Sequence, residues 1–371
     1  MAFLSITSLV VATILLLIIF LNTSKEYGGK ASKEQRENFK TLKNYADGKF
    51  QNILPTSLNM KFPDHFSVGY DFLKGDPSRQ PQTPIEVLSI DSTELEQNRN
   101  VEPRVTWFGH TTILIEIDGK NILLDPVWGD VGSPLPFTAT KRYNKEMPIK
   151  LEQLPIIDAL IISHDHYDHL DYNSITILKD KVKEFYTPLG VSAHLLAWGV
   201  DSSKVHELNW WETISNDDFL FTCTPSRHFS GRGILDRNTT LWASWVIKTN
   251  TKNIYFSGDS GYGPHFKEIG DKYGPFDFAL LECGQYGVHW PQIHMLPEET
   301  VQSARDLKTK LMIPIHWGAF TLSLHPWKDP IERVTKEATR VGQPITTPQI
   351  GEAIYLNHQE YPNSHWWEKY K

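Results

Sequence analysis

Residues 159–175 read ALIISHDHYDHLDYNSI: an oily run, then three histidines and three acids within eight positions. Ile156–Ser163 has the composition and length of a buried strand, and His164 falls where that strand should end. In extended chain, side chains two apart point the same way, so His164 and His166 can reach one cation. Asp168 and His169 follow as the chain turns and face a neighbouring position. Imidazole and carboxylate are the donors zinc takes in catalytic sites. Crowding this many polar groups at the edge of a core is costly unless a cation joins them.

A two-cation site needs more donors than this segment holds. Three further residues sit where short apolar runs stop: His228 after DFLFTCTP, Asp259 in the GDSG that follows NIYFS, and His316 after KLMIPI. Ends of strands are where layered α/β folds collect functional groups. The surrounding sequence supports such layering. Short apolar runs alternate with turns from Arg104 onward, Asp118-Gly119 marks a hairpin, and PEETVQSARDLKTK places Pro297 in a first helical turn.

The chain has 371 residues, 40% of them hydrophobic, enough for a large core. A net charge of -7 without a basic block argues against nucleic acid as a partner. Two cysteines, Cys223 and Cys283, are too few for a disulfide framework and read as buried structural thiols. The N-terminus is different material. Phe3–Leu21 carries no charge, and its nineteen residues suffice to cross a bilayer core at ~1.5 Å per residue. It lacks a charged leading segment and an A-x-A site, which favours a retained single-pass anchor over a cleaved signal. Lys25, Lys30, Lys33 and Arg36 follow it, so the positive-inside rule leans toward a cytoplasmic catalytic domain. The expected organisation is an anchor over 1–23, a linker and extended arm over 24–100, and a catalytic domain over 101–371.

The order H-x-H-x-D-H, His, Gly-Asp, His resembles the metallo-β-lactamase superfamily of metal-dependent hydrolases. The stretches VTWFGHTTILIEIDGKNILLDPVW, DALIISHDHYDHLD, TPSRHFSGRG, YFSGDSGY, HMLPEE and PIHWGAF are most similar to the branch containing N-acyl-phosphatidylethanolamine-hydrolysing phospholipase D. The resemblance runs over roughly residues 45 to 350. Residues 281–293, LECGQYGVHWPQI, depart from the eukaryotic pattern of that branch.

The resemblance implies a four-layer αβ/βα sandwich with two zinc ions at one edge. His164, His166 and His228 would hold one zinc, Asp168, His169 and His316 the other, and Asp259 would bridge them. Histidine-rich ligation also favours zinc over magnesium. Hydroxide held between the cations would attack phosphorus in a phosphodiester lipid, releasing phosphatidic acid and the head-group alcohol. His294 would assist the leaving alcohol, with His289 its understudy, while His110 and Asp125 would orient the ligands. A homodimer is also implied. A hydrolase of soluble phosphodiesters or sugar-phosphate lactones is the rival within the fold, and a non-catalytic binding protein is the rival outside it.

Overall fold

The computed structural model describes residues 8–9, 11–13, 24–57, 62–98, 102–133, 140–216, 219–233 and 235–371. Among the described residues, fifteen strands form a two-residue hairpin, β1 (Tyr45–Ala46) with β2 (Lys49–Phe50), and two large sheets. The seven-stranded sheet takes β3 (Arg104–Trp107), β4 (Ile113–Ile117), β5 (Lys120–Leu124), β6 (Ile157–Ile161), β7 (Val182–Pro188), β8 (Val205–Leu208) and β15 (Ala353–Tyr355) in the order β15-β3-β4-β5-β6-β7-β8. The six-stranded sheet takes β9 (Thr213–Asn216), β10 (Phe219–Thr224), β11 (Ser244–Lys248), β12 (Asn253–Phe256), β13 (Phe278–Glu282) and β14 (Met312–Ile315) in the order β14-β13-β12-β11-β10-β9.

Side-chain alternation splits the first sheet between two apolar layers. Ile113, Ile115, Ile122, Leu124 and Ile161 join the core shared with Phe221, Trp245 and Phe256 of the second sheet. Leu114, Leu123 and Leu160 point the other way, onto Ile175 and Leu178 of α4 (Tyr172–Leu178) and Leu195 of α5 (Ser192–Ala197). Helices α6 (His265–Tyr273), α7 (Pro297–Asp306) and α8 (Asp329–Val341) supply Phe266, Ile269, Val301, Ala304, Ile331 and Val334 to the larger core. The result is the α/β sandwich expected, with Pro297 opening its helix and Asp118-Gly119 turning β4 into β5 at φ values of 50° and 75°.

Direction of the strands positions the site. β3 and β5 both run antiparallel to β4, and β6 pairs parallel with β5, so these three share one direction. β10 and β12 both run antiparallel to β11, and β13 and β14 continue parallel to β12. Each sheet therefore brings the C-terminal ends of its motif-bearing strands to a common edge.

The span 24–100, expected as a linker and arm, holds local structure of its own. It contains α1 (Lys33–Phe39), opened by a reciprocal Ser32–Gln35 cap, α2 (Phe62–Lys74) and α3 (Ser92–Asn98). Phe39, Tyr45 and Phe50 are buried and pack as a trio with ring centroids 4.9–5.6 Å apart. Proline and glycine in this stretch punctuate short helices that the polar composition had masked. Among the described residues no helix is long and apolar enough to cross a membrane. The anchor expected over 1–23 falls almost entirely outside the described residues, and the structure lends it no support.

Candidate metal centre

His164, His228, Asp259 and His316, with the orienting Asp125, lie within four residues of a strand end, and His166, Asp168 and His169 follow in the turn after β6. Asp125 directly follows β5, His164 follows β6, His228 follows β10, Asp259 follows β12 and His316 directly follows β14. All are buried. His110, Asp125 and His316 adopt positive φ values of 54°, 38° and 65°, an uncommon backbone state that gathers at functional sites. Gly258, at φ 53°, has no room for a side chain: a Cβ there would lie 2.6 Å from the Ser163 Cβ and 2.9 Å from the Ala243 oxygen. The turn that presents Asp259 thus packs directly on the residue that precedes His164.

The Asp259 Oδ2 atom occupies the centre. It lies 3.9 Å from His164 Nε2 and 3.6 Å from His228 Nε2 on one side. On the other it lies 3.2 Å from His169 Nε2 and 3.3 Å from His316 Nε2. His166 Nδ1 completes the first side, 2.8 Å from His164 Nε2 and 3.3 Å from His228 Nε2. Asp168 Oδ2 completes the second, 3.5 Å from His169 Nε2 and 3.4 Å from His316 Nε2. Two of the groups of donor atoms that could hold a metal ion are therefore His164, His166, His228 and Asp259, and His110, Asp168, His169 and His316.

Hydrogen bonds on the far side of the rings decide which nitrogens face inward. His228 Nδ1 is 2.9 Å from the Ile293 carbonyl and must carry a proton to donate to it, which leaves Nε2 with a lone pair in the neutral ring. The Ser163 hydroxyl donates to Asp125 Oδ2 at 2.6 Å and can therefore accept from His164 Nδ1 at 2.9 Å. His169 Nδ1 lies 2.7 Å from Asp125 Oδ2, and its Nε2 is buried with no hydrogen-bond partner. Nε2 of all three rings converges on the Asp259 carboxylate. The His164 and His228 lone pairs facing a carboxylate are repulsive unless a cation, or a proton on a neighbouring ring, lies between, so these residues fit a metal centre.

Charge follows the same pattern. Burial, reinforced by neighbouring histidines, pushes His164 well below the usual imidazole pKa, and burial does the same for His228. Burial opposes ionisation of Asp168 and Asp259, but His169 and the other rings hold both well below the carboxylate range. Against burial, Asp259 and Asp168 push His316 up to about 10 and raise His169 well above the imidazole range. A bound cation would take over the compensation that protons on those two rings provide, and metal binding would release them.

His110 and Asp125 sit where orienting groups were expected. His110 Nε2 is 2.8 Å from Asp168 Oδ2, and Asp125 also accepts from the Ser163 N–H at 2.7 Å. His294, 9% exposed, is at the centre too, its ring stacked on His316 with centroids 5.1 Å apart. His289 belongs to none of the candidate groups; its ring lies 6.4 Å from that of Trp290. Both cysteines are free and buried, and burial raises both thiols.

Three buried residues were missed. Asp165 binds the Thr240 hydroxyl at 2.6 Å and the Gly231 N–H at 2.7 Å. Arg232 donates to the carbonyls of Asp165 and Leu170, bracing the histidine-rich turn. Glu282 ends the otherwise apolar β13 strand. Its signal was the one that found Asp259: a polar side chain where an oily run stops.

Residues 120–317 match the family described as the β-lactamase superfamily domain. The chain belongs to the metallo-β-lactamase superfamily. This metallo-β-lactamase-fold hydrolase is 40% identical over 316 residues to an uncharacterized protein of Mycobacterium tuberculosis, an alignment covering 84% of each. It is 37% identical over 230 residues to the N-acyl-phosphatidylethanolamine-hydrolyzing phospholipase D 1 of Caenorhabditis elegans, covering 58% of this chain and 64% of that protein. Among solved structures, a metallo hydrolase from Ignicoccus hospitalis superposes with a TM-score of 0.50 at 21% identity, over 68% of this chain and 98% of that one. At that identity the likeness concerns the fold alone.

Proposed function

We propose that this metallo-β-lactamase-fold hydrolase is a two-zinc phosphodiesterase of phospholipase D type, acting on N-acyl-phosphatidylethanolamine-like phospholipids. The observation that carries the two-metal reading is the single Asp259 oxygen shared by two sets of imidazole nitrogens. The phospholipid reading rests on the resemblance to the Caenorhabditis elegans enzyme. His164, His166 and His228 would hold one ion, Asp168, His169 and His316 the second, and Asp259 would bridge. Two ions held there would supply a water nucleophile near neutral pH and positive charge for phosphoryl oxygens.

The chain's own residues do the rest. Asp125 and Ser163 fix the tautomers of His169 and His164, and the Ile293 carbonyl fixes that of His228. His294, next to His316 and His228, gives a proton to the departing alcohol. Phosphatidic acid and the head-group alcohol are the products. Action at a lipid surface, with a membrane anchor in residues 1–23 and a paired second copy, belongs to the same proposal.

Turnover by the zinc-loaded full chain on vesicles containing N-acyl-phosphatidylethanolamine, against a water-soluble phosphodiester and a sugar-phosphate lactone, tests it. Release of phosphatidic acid with stoichiometric N-acyl-ethanolamine is the expected result. Turnover of only the soluble substrates would overturn the lipid assignment while leaving the metal centre standing.

A further inference from the structure

Glu282 is fully buried at the end of β13, in the segment that departs from the eukaryotic phospholipase pattern. Its Oε1 accepts the Met295 N–H at 2.5 Å, and its backbone oxygen accepts the Thr300 hydroxyl at 2.9 Å, so the side chain is fixed beside the start of α7. Its Oε2 has no hydrogen-bond partner. That oxygen lies 3.4 Å from His294 Nδ1 and 3.6 Å from His316 Nδ1, and both of those nitrogens are likewise buried without a partner. The two rings are stacked with an interplanar angle of 18°, so their Nδ1 atoms flank one carboxylate oxygen.

We propose that Glu282 is a positioning residue of the metal centre, a buried carboxylate that keeps the ring protons of His294 and His316 on Nδ1. An unpaired buried carboxylate oxygen is costly, and two imidazole N–H groups are the donors within reach that would satisfy it. With Nδ1 protonated, His316 presents the Nε2 lone pair to the second metal position beside Asp168 and Asp259. With its Nδ1 proton held by Glu282, His294 has Nε2 left facing the substrate, where it must carry a second proton to serve as donor to the departing alcohol. One carboxylate thereby ties the ligand on β14 to the proton donor on the β13–α7 connection. This inference rests on the two-metal reading above.

The test uses the zinc-loaded full chain with 15N-labelled histidine, alongside Glu282→Gln and Glu282→Asp. Imidazole NMR of the wild type should show His294 and His316 protonated at Nδ1. In Glu282→Gln the amide oxygen can still accept from Met295, but its NH2 would face two N–H groups. Loss of those tautomers is expected, with one of two zinc equivalents bound about 10–100-fold more weakly and kcat falling more than KM. Glu282→Asp, which keeps the charge, should restore part of both. An unprotonated Nδ1 on His294 or His316 in the wild type, or a Glu282→Gln chain with unchanged zinc affinity and tautomers, would overturn this inference and leave the two-metal centre intact. A third zinc equivalent lost in Glu282→Gln would also overturn it, because Glu282 would then be a ligand. A wild-type chain that binds no zinc would overturn the two-metal reading and this inference with it.

Discussion

Asp125 Oδ2 lies 2.7 Å from His169 Nδ1, with neither side chain exposed. The carboxylate follows β5 and the ring follows β6, so this contact crosses between neighbouring parallel strands of one sheet. It sets which nitrogen of His169 faces Asp259. Replacing Asp125 by Asn would offer the ring an amide whose NH2 could face Nδ1 and reverse the tautomer. Asp125→Asn should therefore weaken metal binding by roughly 10–100-fold with the fold retained, as read by chelator competition and circular dichroism.

Removal of a ligand should do more. His164→Ala and Asp259→Asn should each lower hydrolysis by more than the roughly 100-fold typical of an outer partner. The wild-type chain should contain about two metal ions per chain by elemental analysis, as a two-metal hydrolase does. Asp259→Asn should disturb both positions and His164→Ala mainly one. Near-normal turnover in either variant, with metal content unchanged, would show that these residues are not the ligands.

Gly258 offers a stability test away from the donors themselves. Gly258→Ala places a methyl group against Ser163 and Ala243 in a backbone state that alanine disfavours. The cost should be about 2 kcal/mol or more in urea unfolding. Metal affinity should fall with it, since the same turn carries Asp259. A neutral Gly258→Ala would mean the turn relaxes freely.

Acid should destabilise the metal-free chain through its buried neutral histidines. Burial, then the nearby Arg227 charge, pushes the His265 pKa down to about 3, while the unfolded ring titrates near ~6.5. The unfolded state therefore binds the extra proton first. Stability is fully present above the unfolded pKa and is lost as pH falls from there toward 3. Denaturant midpoints in chelator should decline across that window, and His265→Asn should decline less steeply. Identical slopes would show that His265 is not buried neutral.

His164, His228, Asp259 and His316 were legible as candidate ligands because each is a polar side chain just after an apolar run, a pattern local enough to survive in one dimension; the full set came from the family resemblance. His164 and His166 were read as partners from strand periodicity alone, and their nitrogens are 2.8 Å apart. The hairpin at Asp118-Gly119 and the helix at Pro297 were local signals of the same kind. The uncharged N-terminal run is legible too, but it determines only that a span is long enough, and no described helix answers to it.

What only the tertiary structure decided is which side chains meet. Glu282 carries the same signal as Asp259, yet a lone acid at a strand end says nothing until His294 and His316 are seen flanking it. His289 and His294 lie five residues apart, and no periodicity separated them; the chain's path after β13 brings only His294 to the metal groups. Arg232 and Asp165 are distant in sequence and meet because loops from both sheets converge on one edge. Local composition sets where each strand stops. The shared direction of strands in two facing sheets sets which of those stops become neighbours, and that is a long-range property no short window of residues contains.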